Sequence, residues 1–237
     1  MSLLFNMESF HNKYTTFIQL FILLFIVGCS FVYYESFQSE MINVKSTVDY
    51  NEYQVRNISD KGNDSLEAAN TLATLRKKML QLIDVIDNME KKQDNYCKMA
   101  CERLKKKFDP QVMSESPSDA KYTSYSVNKG EKIFFCIRSK DVKDKNKLID
   151  TNTLLFVAIH EMAHVMTKSI GHTKEFWNNF RFLLRVAVKN NIYKYQNFSL
   201  KPERYCGMEI TDSPYNPERD DNLKLILSNS NTENSCR

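Results

Sequence analysis

Glycine and proline are scarce in this chain, at five residues each among 237, and tryptophan occurs once. With so few glycines there is no Gly-rich phosphate loop, and no internal repeat is present. Charge of one sign is also lacking. Lys and Arg total 33 against 29 Asp and Glu, a formal net charge of +4. No long basic tract is interleaved with aromatics. Lys105-Lys106-Lys107 and the mixed run 140–145 read as solvated surface, so the sequence argues against nucleic acid as a partner. Cys-x-x-Cys spacing is absent, which counts against a Cys-rich zinc site. Only four histidines occur, yet three of them, His160, His164 and His172, fall within thirteen residues.

That cluster carries most of the functional information. His160-Glu161-Met162-Ala163-His164 is an H-E-x-x-H sequence. On a helix, residues four apart share a face one turn apart, so both imidazoles can reach one metal ion, with the glutamate beside it. His172 supplies a third nitrogen. Three protein ligands with a fourth position left to water is the arrangement of a catalytic zinc. Glu161 is the expected general base, because a carboxylate there can take a proton from the attacking water and later give it to the leaving amine. A structural zinc site would more commonly close with four protein ligands and would need no glutamate. The context fits a helix. Asp150, Thr151 or Asn152 can cap its N-terminus, Leu154 to Ile159 form an apolar run expected to be buried, and Gly171 is a natural helix stop that lets His172 turn back.

The block Gly171-His172-Thr173-Lys174-Glu175-Phe176 after H-E-x-x-H resembles the zincins of the SprT and WLM type. The resemblance covers about residues 130–215 and is specific over about 150–180. It implies a small α+β zincin-like domain, with His160, His164 and His172 as Zn2+ ligands, Glu161 as general base and Phe176 as a packing position. His172 lies eight positions after His164, which departs from the metzincin pattern, where the third histidine is six on. Chains with an N-terminal anchor and a small zincin also look like uncharacterised proteins of large DNA viruses.

Flanking segments are expected to complete a cleft. Residues 131–138 read as a strand rich in β-branched and aromatic residues, lining the cleft or serving as a plain core strand, two readings that are compatible. Tyr205, in Tyr205-Cys206-Gly207-Met208-Glu209-Ile210, is a candidate catalytic donor to an oxyanion, or alternatively a buried structural tyrosine. Glu175 is a candidate to orient a histidine, or else a solvated helix residue. A second helix is expected between Lys174 and Tyr193, with Phe176, Phe180, Leu183, Leu184 and Ala187 at helical spacing and Trp177 packed on the metal helix.

After a short tail, 1–14, residues 15–34 carry no charge and are long enough to cross a bilayer. They read as a single-pass anchor, with a cleaved signal peptide as the competitor. Lys13 before the span gives a mild bias to an inside N-terminus. Three N-x-S sequons, at Asn57, Asn63 and Asn197, and five cysteines beyond the anchor add to a lumenal or extracellular assignment. Up to two disulfides are expected, leaving one thiol. Cys97 and Cys101 are too far apart on a helix to pair with each other, and are expected to bond elsewhere, with Cys136 and Cys206 as candidates. Residues 35–64 read as a polar stalk. Residues 65–108 have apolar positions Leu72, Leu75, Met79, Leu82, Ile86 and Met89 at alternating spacings of three and four. That is a coiled-coil seam for a homodimer, or equally the face of a long helix packed on the domain. Residues 109–227 are then the catalytic domain and 228–237 a disordered tail. The expectation is a membrane-anchored zinc metallopeptidase acting on protein or peptide substrates. The alternative is a membrane-anchored binding or assembly protein with a structural or vestigial metal site.

Overall fold

The computed structural model describes residues 2–58, 64–89, 95–109, 111–121, 123–128, 130–220 and 236. The chain divides into two compact units, 1–42 and 43–237. The first is dominated by helix α1, Ser2–Glu40. Within it Thr15–Glu35 is a 21-residue apolar stretch with none of its length buried. At 1.5 Å per residue it spans roughly 30 Å, the thickness of a bilayer core. This agrees closely with the expected 15–34 span. The helix also continues through the expected tail on one side and into the expected stalk on the other.

The second unit is a mixed α+β fold. Its sheet holds β1 (Met41–Lys45), β2 (Glu52–Arg56), β3 (Met113–Glu115), β4 (Tyr125–Val127) and β5 (Lys132–Phe135), in the order β1-β2-β3-β5-β4. Strands β2, β3 and β5 run parallel, and β4 closes one edge antiparallel to β5. The parallel β2–β3 pair requires a long crossover, and two helices provide it: α2 (Asp64–Met89) and α3 (Asn95–Lys107). Helices α4 (Thr151–Met166) and α5 (Lys174–Lys189) follow, then a small hairpin, β6 (Glu203–Tyr205) and β7 (Met208–Ile210).

Several expectations need correction. Residues 41–56 do not form a stalk. They are two strands of the sheet, and they read as polar because few of their residues are buried and apolar, chiefly Met41, Tyr53 and Val55, while the buried Arg56 is itself charged. The long helix 65–108 is two helices, α2 and α3, with residues 90–94 between them outside the described set. The seam residues Leu72, Leu75, Met79, Leu82 and Ile86 are all at most 1% exposed within the single chain. Helix α2 packs against β2, α4 and α5, so these five positions, though not the half-buried Met89, belong to the chain's own core, as in the packed-helix alternative. The compact unit therefore starts near residue 43 rather than 109. Of the tail 228–237, only Cys236 lies among the described residues.

A buried charge network ties these elements together. Glu115 on β3 is fully buried and accepts from the backbone N and Nε of Arg56 on β2, each at 2.8 Å. It also pairs with the fully buried Arg138, which in turn meets Asp64 at the start of α2 at 2.8 Å. A buried carboxylate is tolerable only when paired and hydrogen-bonded in this way.

Candidate metal centre

Helix α4 is set by its cap. Asp150 accepts from the backbone N of Asn152 and Thr153 at 2.9 and 3.2 Å, satisfying two of the free donors at the helix start. The helix ends at Met166, earlier than Gly171. Thr167 is extended and its hydroxyl bonds back to the carbonyl of Ala163. Gly171 sits in the following loop with φ +81°, a conformation that favours glycine, and the chain turns there to bring in His172. Thr173 then caps α5, accepting from Phe176 N.

The result is a triangle of imidazole nitrogens. The Nε2 atoms of His160, His164 and His172 are 3.2 Å apart on every side. Burial, and then the charges of His164 and His172, hold His160 down to about 3, so its ring is neutral. Three imidazole nitrogens thus converge on one point, each with a lone pair available in the appropriate tautomer. A cation at that point could accept all three. A tetrahedral ion at about 2.0–2.1 Å from each nitrogen needs ligands roughly 3.3–3.4 Å apart, close to the spacing present. The residues therefore fit a metal ion, with nitrogen donors that suit zinc among other transition metals.

Phe176 seats all three rings. It is fully buried, and its ring centroid lies 4.8, 4.3 and 4.7 Å from those of His160, His164 and His172. Trp177 was expected to pack on the metal helix. It is 43% exposed and lies against His172 and Phe176 at the mouth of the cleft. The cleft holds about 650 Å³, and both Glu161 and Tyr205 line it together with the three histidines. Glu161 is buried. That burial pushes its carboxyl up to about 7, against hydrogen bonds from Ser126 that pull it down.

Tyr205 is fully buried, with its hydroxyl 2.5 Å from Ser124 Oγ. Burial first, and the Glu161 charge as well, push its hydroxyl up, so it stays protonated and able to donate. Its position depends on the hairpin. Cys206 and Gly207 both have positive φ, 48° and 85°, forming the tight turn between β6 and β7. The Cys136–Cys206 disulfide ties that turn to the chain just after β5.

Two expectations are refined. Of the expected strand 131–138, β5 is internal. The sheet edge at the cleft is β4, whose residues Tyr125 and Ser126 line it. The alternation of Thr123, Tyr125 and Val127 was the available signal, but three residues are too short a run to stand out. Glu175 contacts no histidine. Its carboxylate instead accepts from the backbone N of Lys168 and Ser169, each at 3.0 Å.

The cysteines also pair differently from the expectation. Cys136 bonds Cys206, and Cys97 bonds Cys236. Two disulfides form and one thiol, Cys101, remains beyond the anchor, in the expected number. Cys97, Cys101 and Cys236 lie with their sulfurs within 4.8 Å of one another, a grouping that only folding brings about.

No family model matches the chain, and no solved structure matches it. Three viral relatives do. The chain is 31% identical over 195 residues to the uncharacterised protein R325 of Acanthamoeba polyphaga mimivirus, covering 82% of this chain and 95% of that protein. It is 38% identical over 82 residues to the uncharacterised protein 136R of Invertebrate iridescent virus 6, covering 35% of this chain and 45% of that protein. It is likewise 38% identical over 85 residues to the uncharacterised protein 042R of Invertebrate iridescent virus 3, covering 36% of this chain and 50% of that protein. The match to the iridescent virus proteins thus spans about half their length. With almost the whole of R325 aligned at this identity, the chain belongs to the same family as that mimivirus protein.

Proposed function

We propose that this chain is a membrane-anchored zinc metallopeptidase of zincin-like architecture, similar in kind to the SprT and WLM type. The observation that carries the reading is the convergence of three histidine nitrogens, 3.2 Å apart, in a cleft that also holds a buried glutamate from the same helix. Zinc bound to His160, His164 and His172 would supply Lewis acidity, bringing the pKa of a water to about 7 and polarising a scissile carbonyl.

The chain's own residues supply the rest. Glu161, with an affinity for protons near neutrality in the metal-free cleft, accepts the proton of the attacking water and delivers it to the departing amine. The Ser126 contact restrains its carboxyl. Tyr205 remains protonated and donates to the oxygen that gains charge. Substrate is a protein or peptide laid in extended form along the cleft, where β4 offers an open sheet edge. Helix α1 tethers the enzyme as a single-pass anchor. The two disulfides support a lumenal or extracellular position for the catalytic unit.

The test is Glu161→Gln, which keeps the side chain's shape and removes the base. Peptide hydrolysis should fall by about 10²–10⁴-fold while the zinc content of the purified protein stays at one per chain. Equal hydrolysis by the two forms would refute the mechanism. A wild type that holds zinc but cleaves none of a broad set of unfolded proteins would favour the binding or assembly reading instead.

A further inference from the structure

His160 and His164 are placed by helix α4, but His172 is not on a helix. It lies in the loop 167–173, and its residue is exposed. A ligand on a free loop would cost ordering entropy each time metal binds. The loop is not free, and what fixes it comes from outside the histidine motif.

Glu175, in the first turn of α5, turns both carboxylate oxygens onto the loop. Oε1 accepts from the backbone N of Lys168 at 3.0 Å. Oε2 accepts from the backbone N of Ser169 at 3.0 Å and from its hydroxyl at 2.8 Å. Ser169 Oγ also lies 2.6 Å from Thr173 Oγ1, beside His172. Arg103 reaches in from α3. Its NH1 donates to the carbonyl of Met166, the last residue of α4, and lies 3.7 Å from Glu175 Oε1. One guanidinium thus joins the end of the metal helix to the carboxylate that holds the loop. Asn179 of α5 adds a bond to Thr167 Oγ1 at 2.9 Å.

We propose that Arg103 and Glu175 form a clamp that positions His172 as the third metal ligand. The inference rests on the metal-centre reading above and extends it to α3, a helix far from the motif in sequence. Both are positioning residues, since neither touches the metal site itself. A simpler role for Glu175 is a favourable charge at a helix N-terminus. That role would not require both oxygens to be committed to the loop, nor an arginine from another helix.

The test uses the full chain in detergent micelles, with zinc affinity measured by competition against a chromophoric chelator. Loss of groups that orient metal ligands typically weakens affinity by about 10–100-fold, and Glu175→Ala should fall in that range. Arg103→Ala should weaken binding less, and Arg103→Lys should restore part of the loss. The decisive comparison is made in a His172→Ala background. There Glu175→Ala should cost little further affinity, because the ligand it positions is gone. An undiminished loss in that background, or wild-type affinity for Glu175→Ala alone, would overturn the clamp.

Amide hydrogen exchange on the metal-free chain separates this inference from the function reading. Glu175→Ala should speed exchange at Lys168 and Ser169 while Ile159 and Met162 in α4 stay protected. Unchanged exchange at Lys168 and Ser169 would overturn the clamp whether or not zinc binds. Zinc failing to bind the wild type would bring down the metal-centre reading, and the clamp as a device for metal binding with it.

Discussion

Replacing Phe176 by alanine should damage fold and metal site together, by amounts that can be read separately. The ring is fully buried, in contact with all three imidazoles and with Trp177 and Phe180 at centroid distances of 5.2 and 5.8 Å. Truncating a buried phenylalanine costs about 3–5 kcal/mol, and more where the surroundings cannot collapse into the space. Here the walls are two helices and a clamped loop, so a loss of about 4 kcal/mol is expected. For a unit of this size that lowers Tm by roughly 8–16 °C. The cost is large against a typical total stability of about 5–15 kcal/mol. Thermal unfolding after chelator treatment measures this part. The upward shift of Tm on adding zinc measures the second part, because ligand stabilisation depends on affinity. That shift should shrink in Phe176→Ala, since the rings lose their common seat. Phe176→Leu, which keeps most of the apolar volume, should recover most of the stability. A metal-free Tm within 2 °C of wild type would refute the packing argument. An unchanged zinc shift would show that the rings are held without the phenylalanine.

Glu115→Ala should destabilise the protein by about 3–5 kcal/mol in denaturant unfolding, because it strands the fully buried Arg138 and removes the acceptor of two Arg56 bonds; a loss under 1 kcal/mol would contradict the network. The metal-free chain should also show a pH signature of Glu161. Burial raises its carboxyl from 4.5 to about 7, so the folded state keeps a proton that the unfolded chain releases from about pH 4.5, and stability present below that pH is lost as it rises towards 7. Wild-type Tm should therefore fall relative to Glu161→Gln across that window, and parallel curves would count against a buried, protonated carboxyl. Finally, α1 should keep the chain in the membrane pellet through alkaline carbonate extraction, and removal of residues 1–40 should release it; a full chain found in the supernatant would refute the anchor.

The parts of this protein that depend on local pattern were legible from the chain alone. The apolar span at 15–34 needs only composition and length. The H-E-x-x-H helix needs only the 3.6-residue period and a capping residue among Asp150, Thr151 and Asn152, and His172 needs only a turn at Gly171 to return to the same face. The apolar spacing of α2 was equally plain, but it did not say what the stripe faces. A seam at spacings of three and four suits another copy or the chain's own core, and only the packing of β2, α4 and α5 over Leu72, Leu75 and Met79 decided it. Residues 41–56 were hidden because a strand with one buried face looks polar on average, and its role depends on partners far along the chain. The same holds for Cys97 meeting Cys236 across 139 residues, and for Arg103 reaching the loop that bears the third histidine. Such contacts arise from chain crossing rather than from sequence period. The sequence by itself determined that three histidines and a glutamate lie at the spacing of a candidate metal site. The tertiary structure decided which distant groups hold them in place, because positioning is a matter of long-range packing and ligand chemistry is a property of the residues themselves.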